Sequence, residues 1–274
     1  MPSRQAMALA VERLAKYVVA LERAMRVPGA DSGNSIDTPA LGVLLALQIF
    51  GPLRPSTLAE LLILRSGTTS KRIERLERGA MVARRLGAVS GDRRGVLVEI
   101  QEPGRREIER IELTAIELGP ELLDALAPLV VEPRDTDAGS AGPSVLAALF
   151  RFVSLIDQTV ERAIRGNDLL HPSDPRPLLL LADLDRNGPR SPGSIVGLID
   201  RSRSASHRLV TQMTAQHLVA ATTPTASRRR PMVGIAPDGR LALDAVIDGL
   251  SEDLPELQPA IAELVGSLHL ARRC

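Results

Sequence analysis

Ser66–Ile100 reads SGTTSKRIERLERGAMVARRLGAVSGDRRGVLVEI, and its first thirteen residues carry the periodicity of a helix with one apolar edge. Placing Ile73 and Leu76 inward at about 100° per residue turns Thr68, Lys71, Arg75 and Arg78 to the opposite face, with Arg72 beside them. Ser66 and Thr69 fall at the start, where a hydroxyl caps free backbone N–H groups or meets a phosphate. Glu74 and Glu77 flank the stripe and are expected to pair with Arg78 or Lys71. Gly79 supplies a helix stop. Val82–Leu86 and Gly95–Ile100 then alternate as two strands around GAVSGDRR, which predicts a β-hairpin with arginines near its tip.

Upstream, RPSTLAELLILRSG completes a helix-turn-helix pattern. Ser56 is the expected N-cap, Leu58, Leu61 and Leu62 face inward, and Arg65-Ser66-Gly67 forms the turn before a second helix over Thr68–Arg78. Leu41–Phe50 reads as a buried helix closed by Gly51-Pro52. Residues 5–26 form a helix whose stripe is Leu14, Val18, Leu21 and Met25, and Val27–Pro39 has loop composition. Downstream, Pro103-Gly104 opens a helical region through Leu129, with a break expected at Gly119-Pro120.

After a linker at about 131–144 the pattern begins again. Val145–Arg165 is a stripe helix, Gly166–Pro177 a loop, and Leu178–Leu184 an apolar run closed by Gly188-Pro189. An offset of 137 carries Gly51-Pro52 to Gly188-Pro189, Leu58 to Ile195, Ile73 to Val210, Leu76 to Met213 and Val82 to Val219. Past the hairpin the offset falls to 135, pairing Val98 with Val233, Ile100 with Ile235 and Gly104 with Gly239. Half of 274 is 137, so the chain reads as a tandem duplication: a first repeat over 1–137 and a second over 138–274.

Charge singles out the same places. Residues 65–94 carry nine basic and three acidic side chains, and 201–230 carry six basic and none acidic, although the whole chain is only +1. Two matched basic patches on an acidic remainder are the footprint expected for contact with phosphates. Stacking platforms for single strands or RNA are nearly excluded, because aromatic content is 1%, confined to Tyr17, Phe50, Phe150 and Phe152. Lys16 and Lys71 are the only lysines, and arginine is the better bidentate donor for nucleic acid.

Arg54–Arg106 resembles the winged helix-turn-helix of the MarR family of bacterial transcription regulators. The match lies in the helix-turn-helix, the Ser-Gly-Thr-Thr lead into the recognition helix, and Asp92-Arg93-Arg94 before an alternating strand. In the second half it is degraded: SRSASHRLVTQMTAQHLV replaces the recognition segment, and Ser227-Arg228-Arg229 stands for Asp92-Arg93-Arg94. The resemblance implies a mainly α fold with small β-wings. Two winged helix-turn-helix domains, at about 40–104 and 177–239, would sit on a shared, dimerisation-like helical platform with an internal pseudo-two-fold. The helices at 5–26, 105–130, 145–165 and 238–271 would form that platform. It also implies that Asp92 braces the wing through an ion pair, and it suggests a small-molecule effector pocket between platform and wings.

The function expected is sequence-specific binding of double-stranded DNA as a transcriptional regulator, a repressor by preference, with the chain acting as a monomer that is its own pseudo-dimer. Thr68, Lys71, Arg72 and Arg75 would meet the major groove, Ser66 and Thr69 would serve as cap and phosphate contacts, and Arg93 and Arg94 would reach the minor groove. In the second repeat the same phase turns Ala205, Arg208, Gln212 and Ala215 outward, with His207 and Arg203 to the side. That half should lean on phosphate contacts from Arg203 and Arg228, Arg229 and Arg230. The alternative is a ligand-binding or protein-interaction module that kept the fold and lost DNA binding. No enzyme, metal or cofactor is expected: His171, His207, His217 and His269 lack metal-ligand spacing, and Cys274 is the only thiol. With no secretory leader pattern, one cysteine, and about ten residues in the longest apolar run, a cytoplasmic, reducing location is expected, away from the membrane.

Overall fold

Leu, Ile, Val and Ala must fill the core of a chain this poor in aromatics, and Leu and Ala lose little rotamer freedom in a helix. A computed structural model describes residues 2–26, 36–62, 66–86, 95–130, 144–163, 170, 174–222 and 232–273. Its first elements are α1 (Arg4–Met25), α2 (Thr38–Phe50), α3 (Pro55–Leu61), α4 (Ser66–Arg78), β1 (Val82–Leu86), β2 (Val96–Ile100) and α5 (Glu102–Leu126). A 3-10 turn at Ala127–Leu129 follows. Then come α6 (Val145–Ala163), α7 (Arg176–Asn187), α8 (Pro192–Ile199), α9 (Arg203–Ala215), β3 (Val219–Thr222), β4 (Met232–Ile235), α10 (Pro237–Glu252) and α11 (Leu254–Ala271). The described residues are mainly α with two small antiparallel hairpins: β1 runs against β2 with Val82 opposite Ile100, and β3 against β4 with Val219 opposite Ile235.

Packing divides the chain into two compact units, residues 21–117 and residues 1–20 with 118–274. The first is built on α2, which is buried from Ala40 to Leu47. Asp37 caps it by accepting from the Ala40 N–H at 3.0 Å. The helix's own Leu44 and Leu47, and Leu58, Ile73, Leu76 and Val98 from other elements of the unit, are almost wholly enclosed. At roughly 2 kcal/mol per enclosed aliphatic side chain, these six are a major source of the unit's stability. In the second unit α6 lies along α10 and α11, while α7 packs with α8, α10 and β4. Ala15 and Val19 of α1 bury against Leu179, with Leu198 alongside.

Several boundaries differ from the sequence reading for local reasons. The cap of α3 is Arg54, with Pro55 in the first turn in place of a Ser56 cap; proline's missing N–H costs nothing there. The second helix of the motif starts at Ser66, two residues early. Its left-handed terminal residue is Ala80, at φ 53°, and not Gly79. Helix α1 buries Met7, Ala10, Val11, Ala15, Tyr17 and Val19 as well as most of the expected stripe, so it is enclosed on more than one side. No break occurs at Gly119-Pro120, because α5 runs through Pro120. Proline crowds the Cβ of the residue before it, and Gly119 has none. A Cβ at Gly119 would also meet the Leu268 side chain.

The two halves share small, unusual backbone features at the spacing the sequence suggests. Gly51 and Gly188 have φ of 75° and 77°, and Ala80 and His217 have φ of 53° and 56°. Each of α4 and α9 ends in the same way: the N–H of Met81 donates to the Leu76 carbonyl at 2.9 Å, and that of Leu218 to the Met213 carbonyl at 2.9 Å. Leu53 bridges Val98 as Arg190 bridges Val233. A Cβ added at Gly104 or Gly239 would collide with the backbone oxygen of Met81 or Leu218 respectively, so only glycine fits where the helix after the hairpin meets the hairpin's base.

Candidate nucleic-acid interface

On α4 the inward stripe is Thr69, Ile73 and Leu76, all nearly inaccessible. That order corrects one expectation: Thr69 lies one helical turn before Ile73 on the same edge, is 1% exposed, and is an inward-packed residue instead of a phosphate contact. The exposed face opposite carries Gly67, Lys71, Glu74 and Arg78, while Thr68 and Arg75 are half-buried on its flank. Ser66 opens the helix as its first residue.

Arg72 and Arg75 do not simply project outward. The Arg72 guanidinium lies 3.0 Å from the Asp37 carboxylate, and that of Arg75 is 3.7 Å from the same oxygen. Asp37 thus caps α2 with one oxygen and holds both arginines with the other. The Nε of Arg72 is buried and has no hydrogen-bond partner among the described residues. Sequence reading missed Asp37. Its signal was the Asp-Thr-Pro lead into α2, which marks a cap but says nothing of partners on another helix. Glu77 is also corrected: it pairs with Arg84 of β1 at 3.2 Å. Beyond it Arg85 pairs with Glu99 across the hairpin at 2.7 Å. The wing tip, with Asp92, Arg93 and Arg94, lies outside the described residues, as do Arg228, Arg229 and Arg230.

Helix α9 repeats the arrangement with different chemistry. Ser206 and Met213 are buried at the positions of Thr69 and Leu76, and Val210 is half-buried at that of Ile73. Ser202 caps the helix, accepting from the Ala205 N–H at 3.3 Å. Arg203, His207, Arg208, Gln212 and Ala215 are exposed and Ala205 is half-buried. The structure therefore brings every described candidate of the second half onto one accessible helix that contains no acidic residue. Leu209 and Gln212 replace Arg72 and Arg75. The counterpart of Asp37, 137 residues on, is Asp174, which instead holds the buried Arg176 at 3.0 Å and Arg201 at 3.4 Å.

Within residues 1–20 and 118–274 lies an apolar cavity of about 90 Å³, walled by side chains of α1, α6, α10 and α11 and by the start of α7. Among the described residues no group of three or more His, Cys, Asp or Glu is placed to hold a metal ion. None of the described helices is long and apolar enough to cross a membrane.

No family model matches the chain, and no curated protein matches it. Among solved structures it is similar to the transcriptional regulator Tm0710 from Thermotoga maritima, at 18% identity and a TM-score of 0.35, over 42% of this chain and 78% of that one. A likeness at that level carries no argument about what this chain does.

Proposed function

We propose that the chain is a double-stranded-DNA-binding transcriptional regulator, a repressor by preference, in which α4 and α9 enter the major groove and the hairpin tips approach the minor groove. The observation that carries the reading is the face of α4: Lys71 and Arg78 stand exposed opposite Thr69, Ile73 and Leu76, on the second helix of a helix-turn-helix that leads into a hairpin. A helix presenting cations away from the core, ahead of a β-wing, suits groove contact. The matched backbone features of the two halves support a tandem duplication, with residues 1–137 and 138–274 as an intramolecular pair of readers. Of the pair, α4 is the stronger base reader, since α9 offers only Arg208 and Gln212 where α4 offers Lys71, Arg75 and Arg78. An imperfectly palindromic site follows, with half-sites about one helical turn, or 10 bp, apart.

The test is a gel-shift titration of the full chain against its own upstream DNA at two salt concentrations. A shift that weakens steeply with salt is expected, and Lys71→Ala should weaken it at least several-fold. A shift absent at both concentrations, or indifferent to salt, overturns the reading. A second reading, a ligand-binding module on the same fold, is favoured by the apolar cavity.

A further inference from the structure

The cavity within residues 1–20 and 118–274 is lined by aliphatic side chains such as Val11 and Leu14 of α1, Ile156 of α6, Val246 of α10 and Leu257 of α11, with Phe152 as its aromatic wall. Two carboxylates also reach it, Asp157 and Asp174. They differ in one decisive respect. Asp174 is neutralised by Arg176 and Arg201. Asp157, on the α6 face turned to the cavity, makes no hydrogen bond or ion pair with any described residue.

A carboxylate on an apolar wall with no partner among the described residues is costly, since burial disfavours its charged form and none of those residues repays the lost water. Burial, and after it the negative charge of Glu161, push the Asp157 carboxyl up to about 7. A side chain that served only to fill space there would be apolar, such as Leu. A ligand with an apolar body and one cationic head relieves both terms at once: its body covers aliphatic wall and its charge compensates the carboxylate. An anionic ligand meets the opposite field.

We propose that this cavity binds small hydrophobic primary ammonium compounds, with Asp157 as the counter-ion and the aliphatic walls of α1, α6, α10 and α11 as the sleeve for the apolar body. The inference deepens the ligand-binding reading and is independent of whether α4 binds DNA. Its measurement contains no DNA, so it and the gel shift fail separately.

The experiment is an NMR titration of the full chain at pH 8 with n-butylamine, n-butanol and butyrate, three probes of one size that differ in charge. The ammonium is expected to bind at least tenfold tighter than the alcohol, and butyrate more weakly than either. Asp157→Asn, close to isosteric and checked for folding by its melting temperature, should bring the amine down to the alcohol's affinity while leaving the alcohol's unchanged. Ala10→Ile, which adds bulk to the wall, should weaken amine and alcohol together by a similar factor. Equal binding of amine and alcohol by the unaltered chain overturns the proposal. So does an amine preference that survives Asp157→Asn, amine binding indifferent to Ala10→Ile, or no binding of any probe.

Discussion

Asp37 and Asp174 occupy the same position in the two halves, and they show how one scaffold can be put to two uses. Asp37 caps α2 and reaches across to Arg72 and Arg75 of α4. Asp174 stands before α7 and holds Arg176, whose Nε donates to the Ile199 carbonyl at 2.9 Å, so its charge is spent tying α7 to the end of α8. The swap extends further. Where the first half has Ala46 and Leu53, the second has Asp183 and Arg190, joined by two hydrogen bonds of 2.7 and 2.9 Å. The first half aims its arginines along the candidate reading helix, whereas the second invests several of its own in internal ties. The two halves differ in where charge is placed while sharing the backbone features at Gly51 and Gly188 and at Ala80 and His217.

The largest effect should come from reversing that exchange. Asp183 is 1% exposed, and Arg190 is the partner that makes its burial tolerable; the hydrogen bond to Asp183 in turn raises the Arg190 guanidinium above its ordinary value. Arg190→Leu leaves a buried carboxylate with the Asn187 amide as its one donor among the described residues, and should cost about 3 kcal/mol in urea unfolding. The double variant Asp183→Ala with Arg190→Leu restores the residues of the first half and should recover most of that loss. A double variant as unstable as the single would mean that the halves are not interchangeable here.

On the proposed DNA reading the next effect separates α4 from α9. Lys71→Ala with Arg78→Ala removes two exposed cations from α4 and should lower duplex affinity by about 1–3 kcal/mol. Arg208→Ala on α9 should lower it by less and change the salt slope by about one. Equal losses in a salt-series gel shift would erase the asymmetry between the two helices.

A subtler effect should follow from freeing the held arginines. Asp37→Asn keeps a competent cap but removes the charge facing Arg72 and Arg75. Affinity for random-sequence duplex should rise several-fold, with a steeper salt dependence, and the ratio of specific to random binding should fall. Asp174→Asn should leave both quantities unchanged, because Leu209 and Gln212 stand where the arginines would be. A matched response in the two variants would remove Asp37 from any role in positioning.

The sequence was most informative where burial is periodic. The stripes Ile73–Leu76 and Val210–Met213, the two hairpins and the 137-residue offset all follow from one-sided burial of regular elements, which repeats along the chain and can be counted. What could not be read is what depends on contacts between elements. Nothing around Asp37 marks its arginines, which become neighbours only when α2 and α4 pack. Thr69 departs from its sequence expectation because a hydroxyl near a helix start suits a cap as well as a buried edge. The LGPEL of residues 118–122 and the DLPEL of 253–257 resemble each other closely. Yet α5 runs on through Pro120, while α10 stops and α11 begins around Asp253. Gly119 lacks the Cβ that proline crowds, yet α11 also runs through Pro259 behind Gln258, so neither continuation nor break can be read from the proline alone.

The smallest effect probes the feature the halves share most closely. Ala80 and His217 each hold a left-handed backbone at the end of α4 or α9, a conformation that costs a residue with a Cβ about 1 kcal/mol relative to glycine. The hydrogen bonds from Met81 to Leu76 and from Leu218 to Met213 require it in both places. Ala80→Gly and His217→Gly should therefore each raise unfolding stability, by about 0.5–1 kcal/mol once glycine's extra freedom in the unfolded chain is subtracted. Both residues are exposed, so little packing is lost and the gains should be nearly equal and additive. A gain at Ala80 with a loss at His217 would show that the histidine makes a contact its backbone position does not explain, and the two helix ends would then be alike in geometry alone.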